Sequence, residues 1–355
     1  MRTDIFGERL GKVLAERGVS EARIADALRS GYAIRQWGDP FSGNTWSTVS
    51  DRMYGNKQFS SSFEIDKFVR YLTDPDAIER LPDLREFVVS SKSELDELLR
   101  DPRRARYLEE GSLWFRGQTK EYTYRRAVPN PVRRLNNGSE ISIVPGAYRQ
   151  NGAEYDFTNP VVEKRSFTYL LPDLVPESEN ALADEAASHD SMRVEQHYAT
   201  QTSGLDVTPD IGSALFFATN KLLWNENGQA FHRQIPRGEH QGVIYCFRFC
   251  DPPVKESEYL IRDFTLFKTF YPERIIRQRC GLPLFGEYER NIAVADIDCI
   301  IKLANDFDWE QSKTPRHMFP PASEDPFYKK ILELKKCYPG LDSLNNVVEY
   351  EWANE

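Results

Sequence analysis

No apolar run among these 355 residues approaches the length of a membrane span. The opening residues Met1-Arg2-Thr3-Asp4 lack the apolar segment of a secretory leader. Histidine is scarce and scattered (His189, His197, His232, His240 and His317), so a metal site built on histidines is not expected. The five cysteines, Cys246, Cys250, Cys280, Cys299 and Cys337, show no zinc spacing. Cys246 and Cys250 lie near or in one strand without a second pair, which points to buried thiols and a cytoplasmic protein. There is no phosphate-binding P-loop, no dinucleotide GxGxxG, no HExxH and no GxSxG. The formal charge of −9 argues against bulk binding of polyanions by the whole molecule. No internal repeat is present. A hydrophobic share of 40% and a mean hydropathy of −0.59 fit a soluble globular chain, long enough for two or three domains.

Against these absences stands Leu113-Trp114-Phe115-Arg116-Gly117-Gln118. Three strand-forming residues lead into an arginine, and alternation puts Leu113 and Phe115 on one face, Trp114 and Arg116 on the other. An arginine ending an apolar strand is costly unless its guanidinium has a partner. That partner is either a neighbouring carboxylate or a bound anion, to which the planar fork of Arg is suited. Gly117 permits close approach of a ligand or of another backbone.

This stretch resembles the signature of the FRG domain family. Val88-Val89-Ser90-Ser91-Lys92-Ser93-Glu94-Leu95 is similar to the strand and helix that precede the family's motif. Gln196-His197-Tyr198, Leu205-Asp206-Val207-Thr208 and Ala214-Leu215-Phe216-Phe217-Ala218 resemble its second block. Arg274-Ile275-Ile276-Arg277-Gln278, with Gly281 and Phe285, resembles a third. Thr202-Ser203-Gly204 stands where the family has Pro-Thr-Arg, and Val207 where it has Trp. The resemblance covers roughly residues 85–305 and implies an α+β fold, a mixed split sheet with surrounding helices.

A more distant analogy, at the level of fold, links the same order of elements to ADP-ribosyltransferases. It implies NAD as cofactor, with Arg116 clamping phosphate and His197 positioning a ribose or acting as a base. Glu287, in Glu287-Tyr288-Glu289, would stabilise an oxocarbenium-like ribose. Gly117, Gln118, Tyr198, Asp206, Thr208 and Gln278 complete the expected ligand-binding set. For Asp206 and Thr208 a role as helix caps competes with this one.

Residues 1–72 read as a small all-α unit resembling the repressor-type (Cro-like) helix-turn-helix. Phe6, Leu10, Val13 and Leu14 recur at helical spacing before Gly18, and Ser20 caps a second helix bearing Ala22, Ile24, Ala25 and Leu28. A third helix is expected over Trp46–Tyr54, stopped by Gly55, and a fourth carries Ile65, Phe68, Val69 and Leu72. Residues 31–43 are an insertion relative to the usual turn. The unit has 11 Lys/Arg against 9 Asp/Glu, more basic than the rest of the chain. On this reading Ser47, Thr48, Ser50 and Arg52 would reach base edges or phosphates and Asn56 and Lys57 the DNA backbone. The alternative is a helical partner-binding or oligomerisation unit.

Residues 73–84 read as a linker, 85–305 as the FRG-like domain and 306–355 as an extension with a helix around Phe327–Lys336. Residues 135–190 are loop-rich and include an acidic run, Pro176–Glu185. Thr208-Pro209 is expected to open a helix running through Leu222, and Gly242–Phe249 and Ile297–Leu303 are expected strands. Two functions are consistent with this organisation. One is an ADP-ribosyltransferase or NAD glycohydrolase in a toxin or phage-defence setting. The other is a regulator that binds DNA or a protein partner, of antitoxin type or a second copy, and senses a nucleotide without turnover.

Overall fold

The computed structural model describes residues 5–54, 62–100, 113–150, 154–155, 194–199, 202, 204–248, 260–261, 272–283, 291–293 and 297–351. The chain divides into two compact units. The first comprises Met1–Asp83, Tyr122–Val162 and Phe285–Ala295; the second comprises Leu84–Glu121, Glu163–Leu284 and Asp296–Glu355.

In the first unit, α1 (Ile5–Glu16) and α2 (Glu21–Arg29) bury Leu10, Leu14 and Ala27. Gly18 separates them in the left-handed region at φ 78°, where glycine is favoured. The expected third helix is instead a strand. β1 (Tyr32–Gly38) and β2 (Thr45–Asp51) form an antiparallel hairpin with Trp37 opposite Trp46. β3 (Ser62–Glu64) pairs with the far side of β2, and α3 (Ile65–Thr73) follows. The unit is therefore α+β, not all-α. The reason lies in composition: Thr45, Trp46, Thr48 and Val49 are β-branched or aromatic, and Asp39-Pro40-Phe41-Ser42-Gly43-Asn44 supplies the turn. Gly43 sits at φ 70°, and the Asp39 amide donates to the Asn44 carbonyl at 2.8 Å. The supposed insertion is thus one strand and the tip of a hairpin.

The expected DNA-reading residues move with it. Ser47, Thr48 and Ser50 lie on β2, and Arg52 lies in the turn after it, only 6% exposed. No recognition helix presents them. Asn56 and Lys57 lie outside the described residues.

The first unit closes on a buried charge network. Arg126 donates from Nη1 and Nη2 to both carboxylate oxygens of Asp51, at 2.9 and 2.8 Å. Its Nε and Nη2 reach the two oxygens of Glu140 at 2.9 and 2.7 Å, and Nη1 also reaches the Ser30 carbonyl at 2.6 Å. Asn130 donates to Asp51 and Tyr54 to Glu140, both at 2.8 Å. A lone buried charge is prohibitive, but here each carboxylate oxygen and guanidinium nitrogen has a partner.

The second unit is organised on a four-stranded mixed sheet. Its strands are β4 (Arg85–Ser91), β5 (Leu113–Gln118), β6 (Val243–Arg248) and β7 (Ile297–Asp308). Their order is β4-β7-β6-β5, with β4 and β7 parallel and the other two pairings antiparallel. The strand–helix lead-in appears as β4 followed by α4 (Lys92–Arg100). A helix, α5 (Ile211–Thr219), packs Ala214, Leu215 and Ala218 against Phe115, Ile244, Cys246 and Ile301. It starts later than Thr208-Pro209 and ends before Leu222, which lies in a hairpin of Asn220–Trp224 with Ala230–Gln234. The cap is Asp210, whose carboxylate accepts from the amides of Gly212 and Ser213, each at 3.2 Å. Burial alone would raise the Asp210 carboxyl. The hydrogen bonds from Lys313 and Ser213 outweigh it and hold the group below its ordinary range.

A second core surrounds α6 (Glu273–Gln278) and α7 (Pro326–Cys337), where Tyr198, Ile275, Phe327, Tyr328 and Ile331 pack together. Asp325 caps α7, with Pro326 at its first position. Cys246, Cys280 and Cys299 are buried and form no disulfide. Cys250, Phe285 and most of the loop-rich segment, including Pro176–Glu185, lie outside the described residues. Among the described residues, no helix is long and apolar enough to cross a membrane.

Candidate functional site

The edge strand β5 brings Arg116 to a small cavity of about 90 Å³. Phe115, Arg116, Gly117, Asp206, Val207, Thr208, Ala214, Phe217, Gln278 and Cys280 line it. Three extended pieces of chain lie side by side beneath it. Phe115 and Thr208 exchange main-chain hydrogen bonds at 2.9 and 2.7 Å, and Val207 and Gly281 do the same at 3.0 and 2.7 Å. These two bridges carry residues 206–208 between β5 and residues 280–281, which sets Asp206 beside Cys280.

Gly117 answers to the approach of another backbone. A Cβ built there would lie 1.8 Å from the Ala214 carbonyl oxygen and 2.9 Å from the Ala218 nitrogen. Only a glycine lets α5 sit so close to β5. Gly242 repeats the device, since its Cβ would fall 2.5 Å from the Ala218 carbonyl oxygen.

Arg116 is half-buried, and its Nη1 donates to the main-chain carbonyl of Asp206 at 2.7 Å. The Asp206 carboxylate gathers the neighbouring polar groups. His197 Nε2 lies 3.4 Å from its Oδ1, Cys280 Sγ lies 3.4 Å from the same oxygen, and Gln196 Nε2 donates to Oδ2 at 3.3 Å. His197 belongs to a short helical turn, residues 194–198, and its side chain is 1% exposed. That turn is fastened from below by Arg274, whose Nη1 donates to the His197 carbonyl at 3.2 Å. The Arg274 guanidinium is fully buried among aromatic rings, 3.9 Å from the centroid of Tyr328, 4.5 Å from Tyr198 and 4.9 Å from Tyr350.

The expected ligand-binding residues divide. Arg116, Gly117, Asp206, Thr208 and Gln278 line the cavity, and His197 touches it through Asp206. Thr208 and Gln278 are also structural: the Thr208 hydroxyl donates to the Gln278 carbonyl at 2.8 Å, and the Gln278 amide to the Met318 carbonyl at 2.8 Å. Tyr198 is a core residue, fully buried, with its hydroxyl donating to Asp325 at 2.6 Å. Burial first, then the Asp325 carboxylate, push that hydroxyl well above its usual range. Gln118 is buried on β5 outside the cavity lining. Glu287 and its neighbours lie outside the described residues. Cys280 was not among the residues expected at the site, because a single cysteine far from any other carries no spacing signal.

No family model, no curated protein and no solved structure matches this chain. The chemistry of the site is therefore read from its own side chains: a guanidinium, a carboxylate and a thiol at one small, partly enclosed cavity, with an imidazole against the carboxylate.

Proposed function

We propose that the second unit binds a nucleotide anion at the Arg116 cavity. In this reading the protein is an effector of ADP-ribosyltransferase or NAD glycohydrolase type. The observation that carries it is that Arg116 and Asp206, ninety residues apart in sequence, line one cavity, with His197 against the Asp206 carboxylate. Arg116, which lines the cavity, would take a phosphate through its planar guanidinium. Asp206 would border the ribose, with His197 positioning it from behind the carboxylate. A cavity of about 90 Å³ suits one phosphate or one ribose, so the rest of a dinucleotide would extend beyond it. Glu287 remains the proposed stabiliser of the ribosyl cation, on the strength of the sequence resemblance. A toxin or phage-defence setting belongs to the same proposal.

Incubating the full-length protein with NAD and following nicotinamide release tests the activity. Release by the parent, reduced at least a hundredfold in Arg116→Lys, supports turnover. Saturable NAD binding without release favours a sensor, the second reading.

A further inference from the structure

The geometry points to a zinc-class metal site made by His197, Asp206 and Cys280, and we propose that this trio binds a divalent transition metal with its fourth position open to the cavity. The ligating atoms of the three side chains all lie within 4.8 Å of one another. Tetrahedral zinc with nitrogen and oxygen ligands at about 2.0–2.2 Å and sulfur at about 2.3 Å requires ligand-to-ligand separations of roughly 3.3–3.6 Å. The His197 Nε2 to Asp206 Oδ1 distance is 3.4 Å, and the Cys280 Sγ to Asp206 Oδ1 distance is also 3.4 Å. Two edges of the tetrahedron thus already have the required length.

Charge and donor type agree with this assignment. A carboxylate and a thiolate together neutralise a doubly charged cation, and the imidazole adds a neutral nitrogen. A mixed nitrogen, oxygen and sulfur set suits zinc rather than magnesium or calcium, which take oxygen ligands. The same trio is a poor nucleophile arrangement without a metal. The Cys280 sulfur lies 3.4 Å from a carboxylate oxygen, whereas a reactive thiolate requires positive surroundings. A cation between sulfur and oxygen removes that conflict.

The surroundings hold the ligands in place. Gln196 donates to the other carboxylate oxygen of Asp206, Arg116 fixes its main-chain carbonyl, and Arg274 fixes that of His197. Asp206 and Cys280 line the cavity, so water or a substrate oxygen would complete the coordination there. Three protein ligands and one open position is the pattern of a catalytic rather than a structural zinc site. The scattered histidines argue against a site built on histidines, and this mixed one takes a single histidine.

The test uses full-length protein carrying no histidine tag and freed of metal by a chelator. It is titrated with zinc chloride by calorimetry and with cobalt(II) by absorption spectroscopy. The expected result is one zinc per chain, tetrahedral cobalt bands and a sulfur-to-cobalt charge-transfer band. Cys280→Ser should abolish the charge-transfer band, and Cys280→Ser and His197→Gln should each weaken zinc binding at least tenfold. Binding should also weaken as pH falls, because the metal displaces protons from its ligands. Both variants are first checked for a parent-like circular dichroism spectrum. If either is unfolded, chemical alkylation of the folded parent replaces it, with zinc expected to protect Cys280. Absence of saturable zinc binding in the parent overturns the proposal. So does unchanged zinc affinity in folded variants, or alkylation of Cys280 at the same rate with and without zinc. These titrations contain no nucleotide, so their failure leaves the nucleotide reading untouched.

Discussion

The Arg116 guanidinium donates to the main-chain carbonyl of Asp206 at 2.7 Å. The bond reaches a main-chain carbonyl and orients the side chain. It also holds the segment whose carboxylate meets His197 and Cys280. One hydrogen bond thereby joins the best-marked motif of the sequence to the polar cluster of the fold.

The packing of α5 on β5 makes Gly117 intolerant of any side chain. Gly117→Ala places a methyl group 1.8 Å from a carbonyl oxygen of α5, which only a shift of the helix relieves. The expected cost is about 3 kcal/mol or more in urea denaturation. Gly340→Ala serves as the control, since a Cβ there meets nothing within 4 Å, and should change stability by less than about 0.5 kcal/mol. Equal midpoints for the two variants would refute the close packing.

Arg126 holds two buried carboxylates in the first unit. Arg126→Ala leaves Asp51 and Glu140 buried without their cation, and should cost about 3–5 kcal/mol. Arg126→Lys should recover only part of that loss, because an ammonium cannot reproduce five donors in a planar fork. Denaturant titrations of both variants check the order. A lysine variant as stable as the parent would show that charge alone suffices.

Burial lowers the pKa of His232 to about 4. Its ring is stacked on Phe319 at 4.5 Å between centroids and lies near-parallel to Tyr350 at 6.0 Å. An unfolded histidine titrates near 6.5, so the unfolded chain takes up the proton first as pH falls. The stability that goes with neutral His232 is full above about pH 6.5 and is lost progressively down to about pH 4. The loss attributable to this residue is at most about 3 kcal/mol. His232→Phe should flatten that limb of the stability profile. An identical slope between pH 6.5 and 4 in variant and parent would remove His232 as its cause.

Much of this arrangement was legible in the sequence. An arginine next to glycine at the end of an apolar strand signalled a crowded backbone, which Gly117 meets, and the Arg116 guanidinium reaches a main-chain carbonyl where a carboxylate or an anion was expected. The strand–helix lead-in, the long strand from Ile297 and the helix following Asp325 carry their own patterning and caps. Residues 45–54 misled because Trp46, Val49 and Met53 also fit a helical period. The choice of strand depends on pairing with residues 32–38, which no local window contains. Thr208-Pro209 looked like a helix start because proline suits a first helical position, but the cap is Asp210, two residues after Thr208. Tyr198 was placed near the ligand by its neighbour His197, yet a helical turn sends adjacent side chains in different directions, and Tyr198 enters the core. Cys280 reaches the site through the Val207–Gly281 pairing and the Thr208–Gln278 hydrogen bond, contacts between segments about seventy residues apart.

The central claim is that Arg116 binds the phosphate of a nucleotide. The most direct measurement is a calorimetric titration of NAD into full-length parent and into Arg116→Lys, with thermal melts of both proteins alongside. The account predicts saturable binding by the parent and at least a tenfold weaker association in the variant, because lysine keeps the charge and loses the two-pronged donor geometry. The two melting temperatures should agree within about 2 °C, because lysine keeps the charge at this half-buried position. A variant that binds NAD as tightly as the parent while melting at the same temperature would contradict the account and make Arg116 a residue of the fold alone.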